Sequence, residues 1–299
     1  MSIVLVTGGG GFIGRHSCNA LTQQGHDVHI AQRTNPYIEG ATFHECELTA
    51  RDNVVRLIDT LRPDGLIHLA WTTAHGKFWN DRANADWLES GKAIMDRFLE
   101  QGGKRAVFAG SCAEYDWRQI DQRRLQEDAP LAPNTAYGRA KVELHQHMAW
   151  LVQQGASLSW GRLFFLYGPH ETPTRFVPSI ILALLKDETA KMSPGAQIRD
   201  FMHSVDAGRA FAALYAAPSV TGAVNVADGN AHTLLQIANE LREIIGRGNV
   251  DNEAYEMRSD EPEFLVADTT RLLDEVKFSP HYDLRTGLDN CITWWRDKF

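Results

Sequence analysis

The chain has 299 residues, a formal net charge of -8, 43% hydrophobic and 23% charged residues. That length accommodates one large α/β unit or two modest domains, and the negative balance excludes a general affinity for nucleic acid or an acidic membrane surface. Cys18, Cys46, Cys112 and Cys291 lack the spacing of a zinc site, and no apolar run approaches the roughly 20 residues of a membrane span; a reduced, cytoplasmic protein without a metal site is expected.

The first apolar run, Ile3–Thr7, predicts a strand. It enters "TGGGGFIG", Thr7 to Gly14, and then a helix-like segment, Phe12 to Leu21. Four glycines suit neither a helix nor a strand. A strand, a glycine-rich turn and a helix in that order do make a dinucleotide-binding fingerprint. Gly9, Gly11 and Gly14 fit GxGxxG; Gly8, Gly11 and Gly14 fit TGxxGxxG equally well. In either frame the first glycine permits the tight turn, Gly11 lets backbone approach a pyrophosphate, and Gly14 lets the helix pack close. The helix N-terminus offers N–H groups and positive dipole to phosphates.

The second predicted strand, Val28–Ala31, runs into Gln32 and Arg33. An Asp or Glu normally stands there and grips the adenosine ribose 2′-OH. A carboxylate repels a 2′-phosphate, whereas a guanidinium pairs with it. Arg33 therefore predicts NADP(H) over NAD(H). Further strands are expected at Leu66–Ala70, Ala106–Ala109 and Leu158–Leu163. They alternate with helix-period segments such as Ile94, Met95, Phe98 and Leu99. The alternation predicts a Rossmann-type, doubly wound α/β fold, a parallel sheet with helices on both faces.

"VFAGSCAEY" is an apolar strand ending in Ser111. A hydroxyl there faces the cofactor edge of the sheet and can hydrogen-bond a carbonyl oxygen gaining negative charge. "YGRAK" puts Tyr137 and Lys141 on one helix face. A phenol titrates near 10 unperturbed, and an adjacent ammonium pulls that value down, so the pair can exchange a proton near neutral pH. After Gly168 the pattern loosens, with one short strand (Ala223–Ala227) and several helices. The expectation is a dinucleotide-binding domain of residues 1–167 plus roughly 204–230. A smaller, mostly helical substrate domain of 168–203 and 231–299 would close over the carboxyl edge of the sheet.

Jointly, "TGGGGFIG", "IHLA", "SCAEY", "YGRAK", "GRLFFLYGP", "IRDFMHSVD" and "VADTTRLL" resemble the extended short-chain dehydrogenase/reductase family, in its nucleotide-sugar epimerase, dehydratase and reductase branch. The resemblance implies that Ser111, Tyr137 and Lys141 are catalytic, with Lys141 also holding the nicotinamide ribose. It implies that Gly8, Gly11, Phe12, Ile13, Gly14, Leu69 and Ala70 line the cofactor. Arg199 and Arg258 would contact the substrate's diphosphate. A homodimer would form through the helices near Trp87–Glu100 and Ala136–Val152.

Departures from the family pattern narrow the reaction. Dehydratases carry an acid pair directly after the Ser or Thr. Here those positions are Cys112 and Ala113, and an alanine is neither acid nor base. Epimerising reductases of the GDP-fucose synthase type place a Cys two residues after the Ser and a His before "VIP". Here Ala113 stands at the first position and Arg175, a candidate substrate contact, precedes "FVP". Cys112 is one residue off and, if the backbone is extended, points to the other side. What remains is NADPH-dependent reduction of the 4-keto group of a nucleoside-diphosphate-4-keto-6-deoxysugar. The alternatives are an NAD-dependent nucleotide-sugar 4-epimerase and a non-catalytic dinucleotide-binding regulator. His145 and His147 face different directions and make no metal pair. Glu114 reads as structural, and Trp294 and Trp295 as packing. His75 and Lys77 are open between sugar contact and ordinary loop.

Overall fold

A computed structural model describes residues 2–74, 76–119, 122–256 and 262–298. β1 (Ile3–Thr7) leads through the glycine-rich turn to α1 (Gly14–Gln23). There follow β2 (Asp27–Gln32), β3 (Ala41–Glu45), α2 (Arg51–Leu61), β4 (Gly65–His68), α3 (Ala83–Glu100), β5 (Arg105–Ser111), α4 (Ala136–Gln153) and β6 (Leu158–Leu163). The short strands β7 (Phe165–Tyr167), β8 (Thr189–Lys191), β9 (Ile198–Arg199) and β10 (Phe201–His203) are interleaved with α5 (Phe176–Leu185). Then come α6 (Ser204–Ala216), β11 (Gly222–Val226), α7 (Leu234–Ile245) and α8 (Leu284–Arg296).

Seven strands form one sheet in the order β11-β6-β5-β4-β1-β2-β3, and every neighbouring pair is parallel. The doubly wound fold expected from the sequence is what forms. Strand order reverses between β1 and β4, so a crevice opens at their carboxyl ends. Continuous apolar runs are what a sheet covered on both faces requires. In β1, successive side chains alternate between two cores. Val4 and Val6 pack with Ile30 and with Phe211 of α6. Leu5 packs with Leu66, with Ile58 of α2 and with Ile94 of α3. A third apolar cluster joins Ile181 of α5, Leu241 of α7 and Ile292 of α8.

Three local expectations need correction. β3 was not anticipated: "ATFHE" is a partly exposed edge strand whose polar residues hide its pattern. The strand expected at Leu66–Ala70 ends at His68, so Leu69 and Ala70 leave the sheet into the crevice. The helix starts at Gly14 and not Phe12, because the Gly11 N–H turns back onto Gly8 O (2.9 Å) and Ile13 is the N-cap. Among the described residues no helix is long and apolar enough to cross a membrane. All four cysteines are free and buried.

Candidate active site

The glycine-rich turn sits at the carboxyl end of β1. Gly8 has φ +71°, a left-handed conformation that only glycine adopts without strain; this selects the TGxxGxxG frame. A Cβ at Gly14 would lie 2.2 Å from Gly8 O, so α1 can begin directly against the turn only with glycine there. The Leu69 N–H donates to Thr7 O (3.1 Å), and Thr7 Oγ1 and His68 Nδ1 share a 2.8 Å hydrogen bond. The first turn and the end of β4 are thereby one unit. The N-cap of α1 has no side-chain acceptor and its first turn has no acid. A Cβ at Gly11 would meet only Gly8 O within 4 Å, so that side of the turn is open. An uncrowded backbone beside a helix N-terminus without acids fits a pyrophosphate. Gln32 Oε1 accepts from the Gly10 N–H (2.7 Å), so Gln32 braces the turn, a role the sequence did not suggest. Arg33, next in the chain, is exposed.

The proton-transfer side is built on α4 and the end of β5. Thr135 caps α4 by accepting from the Gly138 N–H (3.1 Å), a bond worth about 1 kcal/mol. Tyr137, Ala140, Lys141, Leu144 and Met148 form its buried face, the spacing that turns Tyr137 and Lys141 the same way. Lys141 Nζ donates to Ala109 O on β5 (2.8 Å) and lies 5.9 Å from the Tyr137 ring centroid. Ser111, at the end of the same strand, lies near enough to the Tyr137 phenol to favour its ionised form. The three residues named from the sequence therefore converge.

Ser111 is held by its own turn. Its N–H donates to Glu114 Oε1 (2.7 Å), and its Oγ accepts from the Ala113 N–H (3.2 Å). Glu114 is fully buried; it also accepts from Trp160 Nε1 (2.9 Å) and from Arg162 Nε (2.8 Å). This carboxylate anchors the turn under Ser111 and does not face the crevice as an acid.

One electrostatic expectation is overturned. Burial pushes the Tyr137 phenol well above its ordinary range, with the nearby Ser111 hydroxyl opposing. The sequence had suggested an ammonium-lowered phenol. The reason is desolvation, which also pulls Lys141 itself down to about 7, with Glu114 opposing. The burial that raises the phenol thus also weighs against the charge meant to lower it.

Sequence reasoning missed an aromatic wall. Phe78 (5.0 Å between centroids), Trp79 (5.9 Å) and Trp71 (6.1 Å) meet the Tyr137 ring edge-on. Trp117 packs against Trp79 at 6.2 Å. The signal was the aromatic density of "WTTAHGKFWN" directly after β4. Arg175, the N-cap of α5, reaches the same wall, with its guanidinium 6.0 Å from the Phe78 centroid. Residues 112–114 form a 3-10 turn, so the alternation of an extended backbone does not apply. The turn still parts the two side chains. Ala113 packs with Phe78 and Tyr137, and Cys112 with Tyr115, Leu125 and Phe164. Burial pushes the Cys112 thiol up to about 12, with Arg199 opposing.

Arg199 is buried, donates to Ile198 O (2.9 Å) and lies 5.4 Å from the Phe165 centroid. Arg258 and His75 lie outside the described residues, and Lys77 is exposed. His145 packs on Trp160 (5.4 Å), whereas His147 bonds Asp96 (2.6 Å). No group of side chains among the described residues is arranged to hold a metal ion. Trp295 is buried and Trp294 packs on His170 at 4.8 Å.

A doubly wound parallel sheet with a glycine-rich first turn is the Rossmann-type dinucleotide-binding fold. The chain belongs to the NAD dependent epimerase/dehydratase family, whose model matches residues 4–227. It is 23% identical to a UDP-glucose 4-epimerase of Corynebacterium glutamicum, over 96% of this chain and 94% of that one. It is 24% identical to UDP-glucuronic acid decarboxylase 1 of Xenopus tropicalis, over 99% of this chain and 72% of that one. Among solved structures, the UDP-glucose 4-epimerase of Stenotrophomonas maltophila with bound NAD and formylated UDP-arabinopyranose superposes with a TM-score of 0.88 at 22% identity, covering 100% of this chain and 99% of that one.

Proposed function

We propose that the protein transfers hydride reversibly at C4 of a nucleoside-diphosphate hexose and acts as a nucleotide-sugar 4-epimerase. The convergence of Ser111, Tyr137 and Lys141 beside the β1–β4 crevice carries the reading. A nicotinamide dinucleotide bound there, with Gly8, Gly11, Phe12, Ile13, Gly14, Leu69 and Ala70 around it, supplies a hydride acceptor and donor. Tyr137 takes the O4 proton as the C4–H bond breaks and returns it when hydride is restored to the other face. Ser111 donates a hydrogen bond to O4 as it becomes a carbonyl oxygen. Lys141 holds the ribose hydroxyls and, when charged, favours phenolate. Arg175, Arg199 and Arg258 serve the substrate, the last two at its diphosphate. Residues 168–203 and 231–299 close over a dinucleotide held by the rest, and α3 and α4 form the face of a homodimer.

The end-to-end likeness to 4-epimerases supports epimerisation over the net reduction expected from the sequence. The committed state of Glu114, together with Cys112 and Ala113 after Ser111, speaks against water elimination.

A second reading has its own observations. Arg33 in place of the acid suits NADP(H), and the aromatic wall suits a 6-methyl group, so NADPH-dependent reduction of a 4-keto-6-deoxysugar is the rival. One experiment separates them. The purified protein is assayed for retained NAD, for interconversion of nucleoside-diphosphate hexoses, and for NADPH or NADH consumption with 4-keto-6-deoxysugars. Interconversion without net cofactor consumption establishes the epimerase. Stoichiometric NADPH consumption establishes the reductase. Neither activity with any sugar nucleotide refutes both.

A further inference from the structure

Trp71 follows Ala70 directly and belongs to neither the glycine turn nor the proton-transfer set. Its indole ring lies under Lys141, with Nζ 3.6 Å from the ring centroid. Its Nε1–H donates to Asn84 Oδ1 (2.8 Å). Asn84 is buried and donates in turn to Phe78 O (2.7 Å) and Asp81 O (2.9 Å). The residue that fixes the indole therefore also fixes the loop carrying Phe78 and Trp79. A tryptophan face is the strongest cation–π partner among side chains, and a desolvated site strengthens the interaction.

We propose that Trp71 is a positioning residue that holds the Lys141 ammonium in its charged form over the indole face, with Asn84 fixing the ring's orientation. The inference rests on the hydride-transfer reading for its catalytic consequence, though not for the geometry. Around Lys141 stand Glu114, which favours the charge, the Tyr137 phenol, the Ala109 carbonyl and the Trp160 ring at 5.9 Å. His68 is buried and its imidazole is pulled down to about 3, by burial first and Lys141 second, so it adds no competing positive charge near neutral pH. Burial drives Lys141 towards the neutral amine. The carboxylate that opposes this is already engaged by Arg162 and Trp160. Apart from the Ala109 carbonyl, which accepts from Nζ at 2.8 Å, the indole face is the group that meets the ammonium at contact distance.

The test titrates the lysines of the protein, labelled with 13C at Cε, by NMR without cofactor or substrate; Lys141→Met assigns the resonance. In Trp71→Leu the Lys141 midpoint falls by about 1.5 pH units, the size of a desolvated cation–π interaction. In Trp71→Phe, whose face is weaker, it falls by less. An unchanged midpoint in the folded variants overturns the proposal. Should Trp71→Leu not fold, Trp71→Phe carries the test with the same two outcomes. A second readout is the pH limb of kcat that follows Lys141, which moves with the NMR midpoint. A moved midpoint with no turnover of any sugar nucleotide in the wild type upholds the Trp71 assignment and sinks the hydride-transfer reading.

Discussion

Replacing Glu114 by glutamine tests whether this carboxylate is scaffold or acid. Glutamine keeps the length and one carbonyl oxygen, so the bonds from the Ser111 N–H and Trp160 Nε1 survive. The bond from Arg162 does not, because an amide N–H then faces a guanidinium N–H. Arg162 is 1% exposed and Glu114 0%. Removing one partner of a buried pair costs about 3–5 kcal/mol. Arg162 keeps Glu127 O (2.7 Å) and the Tyr115 hydroxyl (3.2 Å), which sets the expectation near the lower end. A chain of 299 residues unfolds with an entropy of about 0.6 kcal/mol/K, so 3 kcal/mol lowers Tm by about 5 °C. Scanning calorimetry reads this directly. Arg162→Met on top of Glu114→Gln removes the stranded charge and restores much of the loss. Turnover in Glu114→Gln falls less than about tenfold, since Ser111 keeps its backbone anchor. A single variant melting within 1 °C of wild type, or a turnover loss as large as that from removing the Tyr137 hydroxyl, refutes the scaffold assignment.

Tyr137→Phe lowers kcat by about 10²-fold or more, the range for a lost proton-transfer group, while dinucleotide binding measured by calorimetry changes little. Lys141→Met raises Tm at pH 6–7, because the folded state then no longer buries an ammonium. The Lys141 pKa is depressed from 10.5 to about 7, so between those values the unfolded chain binds more protons and wild-type stability rises with pH. The melting difference between the two proteins narrows from pH 7 towards pH 10, and a constant difference contradicts the buried-ammonium account. Arg33→Asp weakens binding of NADP(H) relative to NAD(H), read as a ratio of Kd values; an unchanged ratio removes Arg33 from the ribose end.

The parts of the site legible in the sequence are those set by fixed spacing within one element or at one junction. Gly8, Gly11 and Gly14 mark a turn that bare backbone alone can make, and Tyr137 and Lys141 share a helix face by their four-residue separation. Ser111 was readable because it ends a buried apolar strand. The rest depends on residues far apart in the chain. Glu114 meets Arg162 across 48 positions, and nothing local to either announces the pair. Trp71, Phe78 and Trp79 converge on Tyr137 only because the loop after β4 folds over α4. The acidity of Tyr137 was misjudged for the same reason. Its helix neighbour Lys141 was visible, but the depth of burial that governs both groups is a property of the assembled core. β3 was lost because an edge strand keeps one side in water and its hydrophobic pattern is weak.

The most direct test of the central claim follows the hydrogen at C4. Nucleoside-diphosphate hexoses deuterated at C4 are incubated with the protein and catalytic NAD(H) or NADP(H), and the products are examined by proton NMR. The account predicts a C4-inverted product that keeps its deuterium at C4, formed by wild type and lost in Tyr137→Phe. Inversion with deuterium washed out to solvent, or turnover at equal rates in Tyr137→Phe, contradicts it.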